Sequence, residues 1–244
     1  MKKAVFNWSG GKDSSLSLFY LLQSKEYDVR YLATSVNSKF HRISMHGVRL
    51  ELLRQQAESI GIPLHMIMMP EMPTMENYDE LMEQTLKKFK QEGIDYSVFG
   101  DIFLEDLKKY REDRLSRVGM QGVFPIWKKP SHQLVREFID LGFKAVLVCV
   151  DERVLDRSFV GRRLDGAMLK DLPSHVDPCG ENGEYHSFVY DGPIFRKPVL
   201  FELEKVVYRQ YQSPENAVND TSSGNMATKT NTGFWYQDLM PIAT

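Results

Sequence analysis

Cysteine is scarce in this chain: there are two in 244 residues, Cys149 and Cys179, far apart in sequence. That excludes a disulfide framework, and with no CxxC pair there is neither a structural zinc site nor a sulfur-relay pair. The six histidines never fall at HExxH spacing. No apolar run is long enough to cross a bilayer. The opening Met1-Lys2-Lys3 followed by Ala4-Val5-Phe6-Asn7-Trp8 imitates a secretory leader, but Gly10, Gly11, Lys12 and Asp13 cut the stretch short. An excess of one charge is also missing. The 31 Lys and Arg meet 33 Asp and Glu, a net charge of −2, so no global basic field gathers nucleic acid. No internal repeat is found. A reducing cytoplasm is the expected compartment, and neither membrane nor nucleic acid is expected among the partners.

What is present is apolar material in alternating packets. Hydrophobic residues form 42% of the chain, which rules out disorder for most of it and suits a large α/β domain with a smaller companion. Strands are expected at 3–8, 29–36, 64–69, 96–99 and 145–150, with a short extended piece at 123–127. Helices are expected after residue 13 and at 48–60, 76–92, 104–118 and 131–141, several closed by glycine. This alternation through residue 150 predicts an α/β fold: a parallel twisted sheet flanked by helices, with the domain running over 1–150. Residues 151–244 then form a smaller α+β substrate region. In it, 151–172 reads as helical, 173–198 as loop, 213–232 as a flexible loop, and 199–211 with 234–239 as a terminal hairpin.

The first strand runs into Ser9-Gly10-Gly11-Lys12-Asp13-Ser14. Glycines let backbone N–H groups approach phosphate oxygens without a Cβ clash, and a helix start adds its positive end. Lys12 adds a point charge, and Ser9 and Ser14 add hydroxyls. Asp13 can hold Mg²⁺ or orient the loop, and Asp13 and Ser14 can cap the helix. The pattern is not GxxxxGK[ST]. Two adjacent glycines and a lysine at the end of a first strand weigh against an ordinary turn. A second cluster puts Glu181, Glu184 and His186 within six residues between Gly180 and Ser187. Such a set can bind Mg²⁺, hold an amine or pass a proton; in a strand Glu184 and His186 would share a side. A surface turn with solvated acids is the competing reading. His46-Gly47 can meet adenine or ribose, or be plain loop. Arg111 can be a surface charge or a fork for a substrate carboxylate. Cys149 reads as core and Cys179 as structural.

The hexapeptide Ser9–Ser14 resembles the PP-loop of the ATP pyrophosphatases, a HUP-like Rossmannoid fold. Pro178-Cys179-Gly180-Glu181-Asn182-Gly183-Glu184-Tyr185-His186-Ser187 is similar to the C-terminal signature of the diphthine–ammonia ligase family. Gly100-Asp101-Ile102 with Leu104, Glu105, Asp106, Arg111 and Glu112, and Pro125-Ile126-Trp127, resemble further pieces of that family over about residues 3–200. The resemblance implies ATP with Mg²⁺, adenylation of a carboxylate with release of pyrophosphate, and amination by ammonia. It implies phosphate contacts from Ser9 to Ser14 and catalytic roles for Lys12, Asp13, Glu181, Glu184 and His186. It adds nucleotide contacts from His46, Gly47, Gly100 and Asp101. The acceptor it implies is a modified histidine of an elongation factor. A small carboxylate, such as a cobalamin-related metabolite, is the alternative, since Lys108 stands where that family is expected to have Gln and 213–244 lies outside the signature. A homodimer is left open. The rival functions are a tRNA-modifying PP-loop enzyme and a module that binds ATP or AMP without turnover.

Overall fold

The apolar packets condense into two sheets in the computed structural model, which describes residues 1–43, 47–71, 74–212 and 231–242. Strand β1 (Lys2–Asn7) carries Ala4, Val5 and Phe6 buried on both faces, as a central parallel strand must. Helix α1 (Lys12–Ser24) follows, then β2 (Tyr27–Asn37), the two-residue β3 (Arg42–Ile43) and α2 (Leu50–Ile60). Leu53, Gln56, Ala57 and Ile60 line the buried stripe of α2, which stops at Gly61 in the left-handed region. Next come β4 (Leu64–Met69), α3 (Met75–Gln91), β5 (Tyr96–Val98), α4 (Glu105–Arg117), β6 (Gln121–Val123) and α5 (Ser131–Asp140).

Strands β4, β2, β1, β5 and β6 pair in parallel, in that order, and β3 adds a short antiparallel piece to the end of β2. The chain builds outward from β1 through β2 to β4 and then returns to the other side of β1 at β5. That reversal puts the topological switch point, where ligands of open α/β sheets bind, at the carboxyl end of β1.

The α/β expectation is met, with corrections at its edges. Strand β7 (Lys144–Asp151) does not continue the parallel sheet; it lies in a second, antiparallel sheet of order β8-β7-β10-β9, so the change of architecture precedes Lys144 rather than following Val150. An unbroken apolar strand looks the same from sequence in either kind of sheet. The other members are β8 (Tyr185–Asp191), β9 (Phe201–Gln212) and β10 (Asn231–Pro241). Strand β8 falls within the stretch expected as loop, hidden by its glycine and proline neighbours. The region expected to be helical over 151–172 holds only a 3-10 turn at Arg157–Phe159 and the short α6 (Gly166–Asp171). Past β6, residues 125–128 form turns rather than extended chain. The terminal hairpin is present as the antiparallel pair β9–β10. Residues 213–230, expected as a flexible loop, lie outside the described residues.

The two sheets share a core. Phe6, Trp8, Leu18 and Leu52 from the first part pack in one cluster with Val146, Val148 and Phe188 from the second. Full burial of each such side chain contributes about 1.5–3 kcal/mol. This common core fixes β8 against the start of α1, and that contact shapes the cleft.

Candidate active site

Gly10 sits at φ +76, and a Cβ there would lie 2.8 Å from Gln56 Oε1, so only glycine fits this turn. Gln56 is buried on α2: its Nε2 donates to Gly10 O at 3.1 Å and to Val189 O at 2.6 Å, and its Oε1 accepts from Trp8 Nε1 at 2.9 Å. Val189 N–H in turn donates to Gly10 O at 2.9 Å. The loop after β1 is thus pinned from α2 and from β8 together.

Helix α1 begins at Lys12 with Gly11 as its N-cap and no side-chain cap, which corrects the expected capping by Asp13 and Ser14. Instead Ser14 Oγ donates to Gly11 O at 2.9 Å and Ser9 Oγ to Ser14 Oγ at 3.1 Å, while Asp13 pairs with Lys12 Nζ at 2.7 Å. Ser187 on β8 accepts the Lys12 N–H at 3.1 Å. Lys12 is buried, and its ammonium also lies 5.2 Å from the Tyr185 ring centroid. Burial works against its charge, but neighbouring Asp13 outweighs that and the lysine pKa is raised. A permanent positive charge therefore sits at a helix start, the electrostatics of an anion site.

A cleft of about 510 Å³ opens over this loop. Ser9, Gly11, Lys12, Asp13 and Ser14 line it, as do Gly100, Asp101, Glu181 and His186. Gly100 passes close over the loop: a Cβ there would come within 3.0 Å of Asp13 C and Ser14 N. Asp101, just after β5, is paired by Arg111 of α4, with Nε 2.8 Å from Oδ2 and a hydrogen bond from Nη2 to Oδ1 at 3.2 Å. Burial raises the Asp101 pKa against the pull of Arg111. Arg111 also lies over the Phe99 ring at 4.4 Å and lines the cleft. Glu181 accepts the Ile102 N–H at 2.8 Å. Burial first, then the negative charges of Asp13 and Asp101, push its carboxyl up to about 7 against the Ile102 hydrogen bond. His186 is lowered to about 4 by burial and by Lys12, so it is neutral at physiological pH.

Among the described residues, the expected positions Gly10, Gly47 and Glu184 do not line the cleft. Glu184 turns into its own loop, where it accepts from Asp177 N at 3.1 Å, Asn182 N at 2.9 Å and Asn182 Nδ2 at 2.9 Å. It lies just before β8, so the strand face expected to be shared with His186 does not include it, and it shapes the loop that carries Glu181. Gly47 packs on the Tyr236 ring, 3.1 Å from where a Cβ would be. His46 lies outside the described residues. Cys179 is buried and donates its thiol to Ser131 O at 3.3 Å, and burial raises its pKa, so the thiol is no nucleophile.

Several cleft residues carried no motif. Ala33, Thr34, Ser35, Ile43 and Ile67 make a wall on the β2–β4 side. The rule that neighbours of β1 end beside it could have pointed to them. Gln56 also left a signal: it is a large polar residue on a mostly apolar helix stripe, and a buried amide needs partners.

Two family models cover most of the chain: the diphthamide synthase N-terminal domain matches residues 1–122 and the diphthamide synthase C-terminal domain matches 130–213. The chain belongs to the diphthamide synthase family. The boundary between the two matches precedes β7, in agreement with the change of sheet. Curated relatives are named diphthine–ammonia ligase. The one from Danio rerio is 26% identical over 223 residues, covering 82% of this chain and 86% of the relative. That from Schizosaccharomyces pombe is 24% identical over 82% of this chain and 36% of its own length. The Homo sapiens relative is 29% identical over 54% of this chain and 51% of itself. The chain thus spans about half of the human relative and about a third of the fission-yeast one. A solved structure of a predicted subunit of tRNA methyltransferase from Methanocaldococcus jannaschii aligns over 59% of this chain and 77% of its own at 17% identity, with a TM-score of 0.41. The glycine turn, the helix start and the buried Lys12 fit the polyphosphate of the ATP that the sequence resemblance implies. Among the described residues, no helix is long and apolar enough to cross a membrane.

Proposed function

We propose that this chain is an ATP-dependent, AMP-forming amide ligase. The observation that carries the reading is the charged Lys12 at an uncapped helix start, in one cleft with Asp101, Arg111, Glu181 and His186. The triphosphate lies on Ser9–Ser14, and the adenosine part extends along the wall of Ala33, Ser35, Ile43 and Ile67. Asp13 and Asp101 are the carboxylates suited to Mg²⁺. Among the described residues no three metal-ligating side chains cluster, but a magnesium ion that bridges phosphates needs only one or two protein carboxylates. Bound there, Mg²⁺ supplies charge neutralisation on the phosphates.

An oxygen of the acceptor carboxylate attacks the α-phosphorus, the bond to the β-phosphate oxygen breaks, and pyrophosphate leaves against Lys12. Ammonia then attacks the acyl carbon, AMP leaves with the carboxylate oxygen, and the nitrogen loses a proton. Glu181 and His186 face this second step, with Arg111 placed to orient the acceptor carboxylate. We assign nucleotide binding to the parallel-sheet part and acceptor binding to the part from β7 onward. The acceptor is diphthine, as named for the relatives, taken here as the modified elongation-factor histidine that the sequence resemblance implies. Phosphorus NMR of a reaction containing ATP, Mg²⁺, ammonium and diphthine-bearing elongation factor tests this. AMP and pyrophosphate are the expected products; ADP and phosphate would end it.

A further inference from the structure

The wall on the β2–β4 side is held from an unexpected quarter. Arg42 of β3 and Arg49 at the start of α2 face each other across an antiparallel bridge, and like charges directly opposite destabilise such a pair. Asp238 of β10 lies between them. Arg42 Nη1 and Nη2 donate to its Oδ1 and Oδ2 at 2.9 and 3.1 Å, and Arg49 Nε and Nη2 donate to Oδ1 and Oδ2 at 3.2 and 2.8 Å. Arg42 Nη1 also donates to Gly47 O at 2.6 Å. Two residues before Asp238, ahead of the register irregularity between Gln237 and Leu239, the ring of Tyr236 fills the space beneath Gly47. Ile43, next to Arg42, is buried and lines the cleft. Strand β10 lies beyond both stretches matched by the family models, which end at residue 213.

We infer that the C-terminal strand is part of nucleotide recognition: Tyr236 and Asp238 hold Arg42, Gly47 and Arg49, and with them Ile43, in the position that receives the base. The inference rests on the reading that this cleft takes ATP. Burial disfavours the Asp238 carboxylate, but the two guanidiniums outweigh it and bring its pKa down to about 2. The clamp therefore keeps its charge at any physiological pH. Asp238 is a positioning residue, since it touches the arginines rather than the nucleotide.

Calorimetric titration of ATP with Mg²⁺ into the whole chain tests this, comparing wild type with Asp238→Asn, Arg49→Gln and Asp191→Asn. Asp191 pairs with Lys144 at 2.8 Å elsewhere in the same sheet and serves as the control. Asp238→Asn is expected to weaken ATP binding by about tenfold, a typical coupling between distinct sites. Arg49→Gln changes affinity less in the same direction, and Asp191→Asn leaves it unchanged. The sign is decisive: two freed arginines beside a polyanion would by charge alone tighten binding, and a purely structural role would lower the melting temperature without moving the affinity. Unchanged or tighter ATP binding in Asp238→Asn overturns the clamp. If Asp238→Asn does not fold, Arg49→Gln takes its place, and unchanged or tighter binding there overturns the clamp in the same way. Absence of ATP binding in the wild type overturns instead the reading of the cleft, and the clamp with it.

Discussion

Glu181 and Glu184 stand three residues apart in one glycine-rich loop and have opposite fates. Glu184 is satisfied by three N–H donors of its own loop. Glu181 has one, from Ile102, and there burial with the charges of Asp13 and Asp101 outweighs that bond and Lys12. The difference sets a pH signature. The folded pKa of Glu181, about 7, is above its ordinary value of 4.5. Between those values the folded protein keeps a proton that the unfolded chain has released, so stability falls as pH rises through that window. Glu181→Gln keeps the acceptor for Ile102 and removes the titration. In urea midpoints at about pH 5 and pH 8, the variant is expected to overtake wild type at the higher pH and to converge with it at the lower. Parallel curves at both pH values would count against the raised pKa. The same substitution removes a group that we assign to the amination step, so amide formation should drop while pyrophosphate release persists.

At the scale of elements, the cleft depends on close approach between loops. Gly100→Ala places a Cβ against the backbone of Asp13 and Ser14, which cannot swing aside as a side-chain tip can. We expect ATP affinity to fall by about tenfold while the midpoint of thermal unfolding moves by only a few degrees, in line with the usual cost of overpacking. Equal affinity in the two proteins would show that the loops can part freely. Much of this arrangement was legible in the sequence. The glycine pair with Lys12 announced the loop, glycine stops closed α2 and α5, and the parallel pairing of the first sheet followed from alternation. The rest is tertiary. Strand β7 carries no mark of which sheet it joins, since burial on both faces erases the alternation. Strand β8 was masked by Gly180, Gly183 and Gly192 around it, although these glycines shape the turns that bring Glu181 and His186 to the cleft. Ser187, Gln56, Arg42 and Arg49 matter through partners more than a hundred residues away or on other elements, and no local spacing encodes that.

In the whole molecule, the site is a seam. The loop after β1 contributes Lys12, the return at β5 contributes Asp101, and the segment entering β8 contributes Glu181 and His186, so neither sheet alone holds the complete set. Their shared core, in which Phe6 and Trp8 pack with Val146 and Phe188, keeps the halves in register. The proposed chemistry depends on that seam taking a nucleotide triphosphate at Lys12. Titration of ATP with Mg²⁺ into wild type and Lys12→Ala measures this most directly. Loss of a buried charged donor to phosphate is expected to weaken binding by about tenfold or more. Measurable heat in the wild type and its loss in the variant is the predicted result; no heat in the wild type, or indistinguishable titrations of the two, would contradict it.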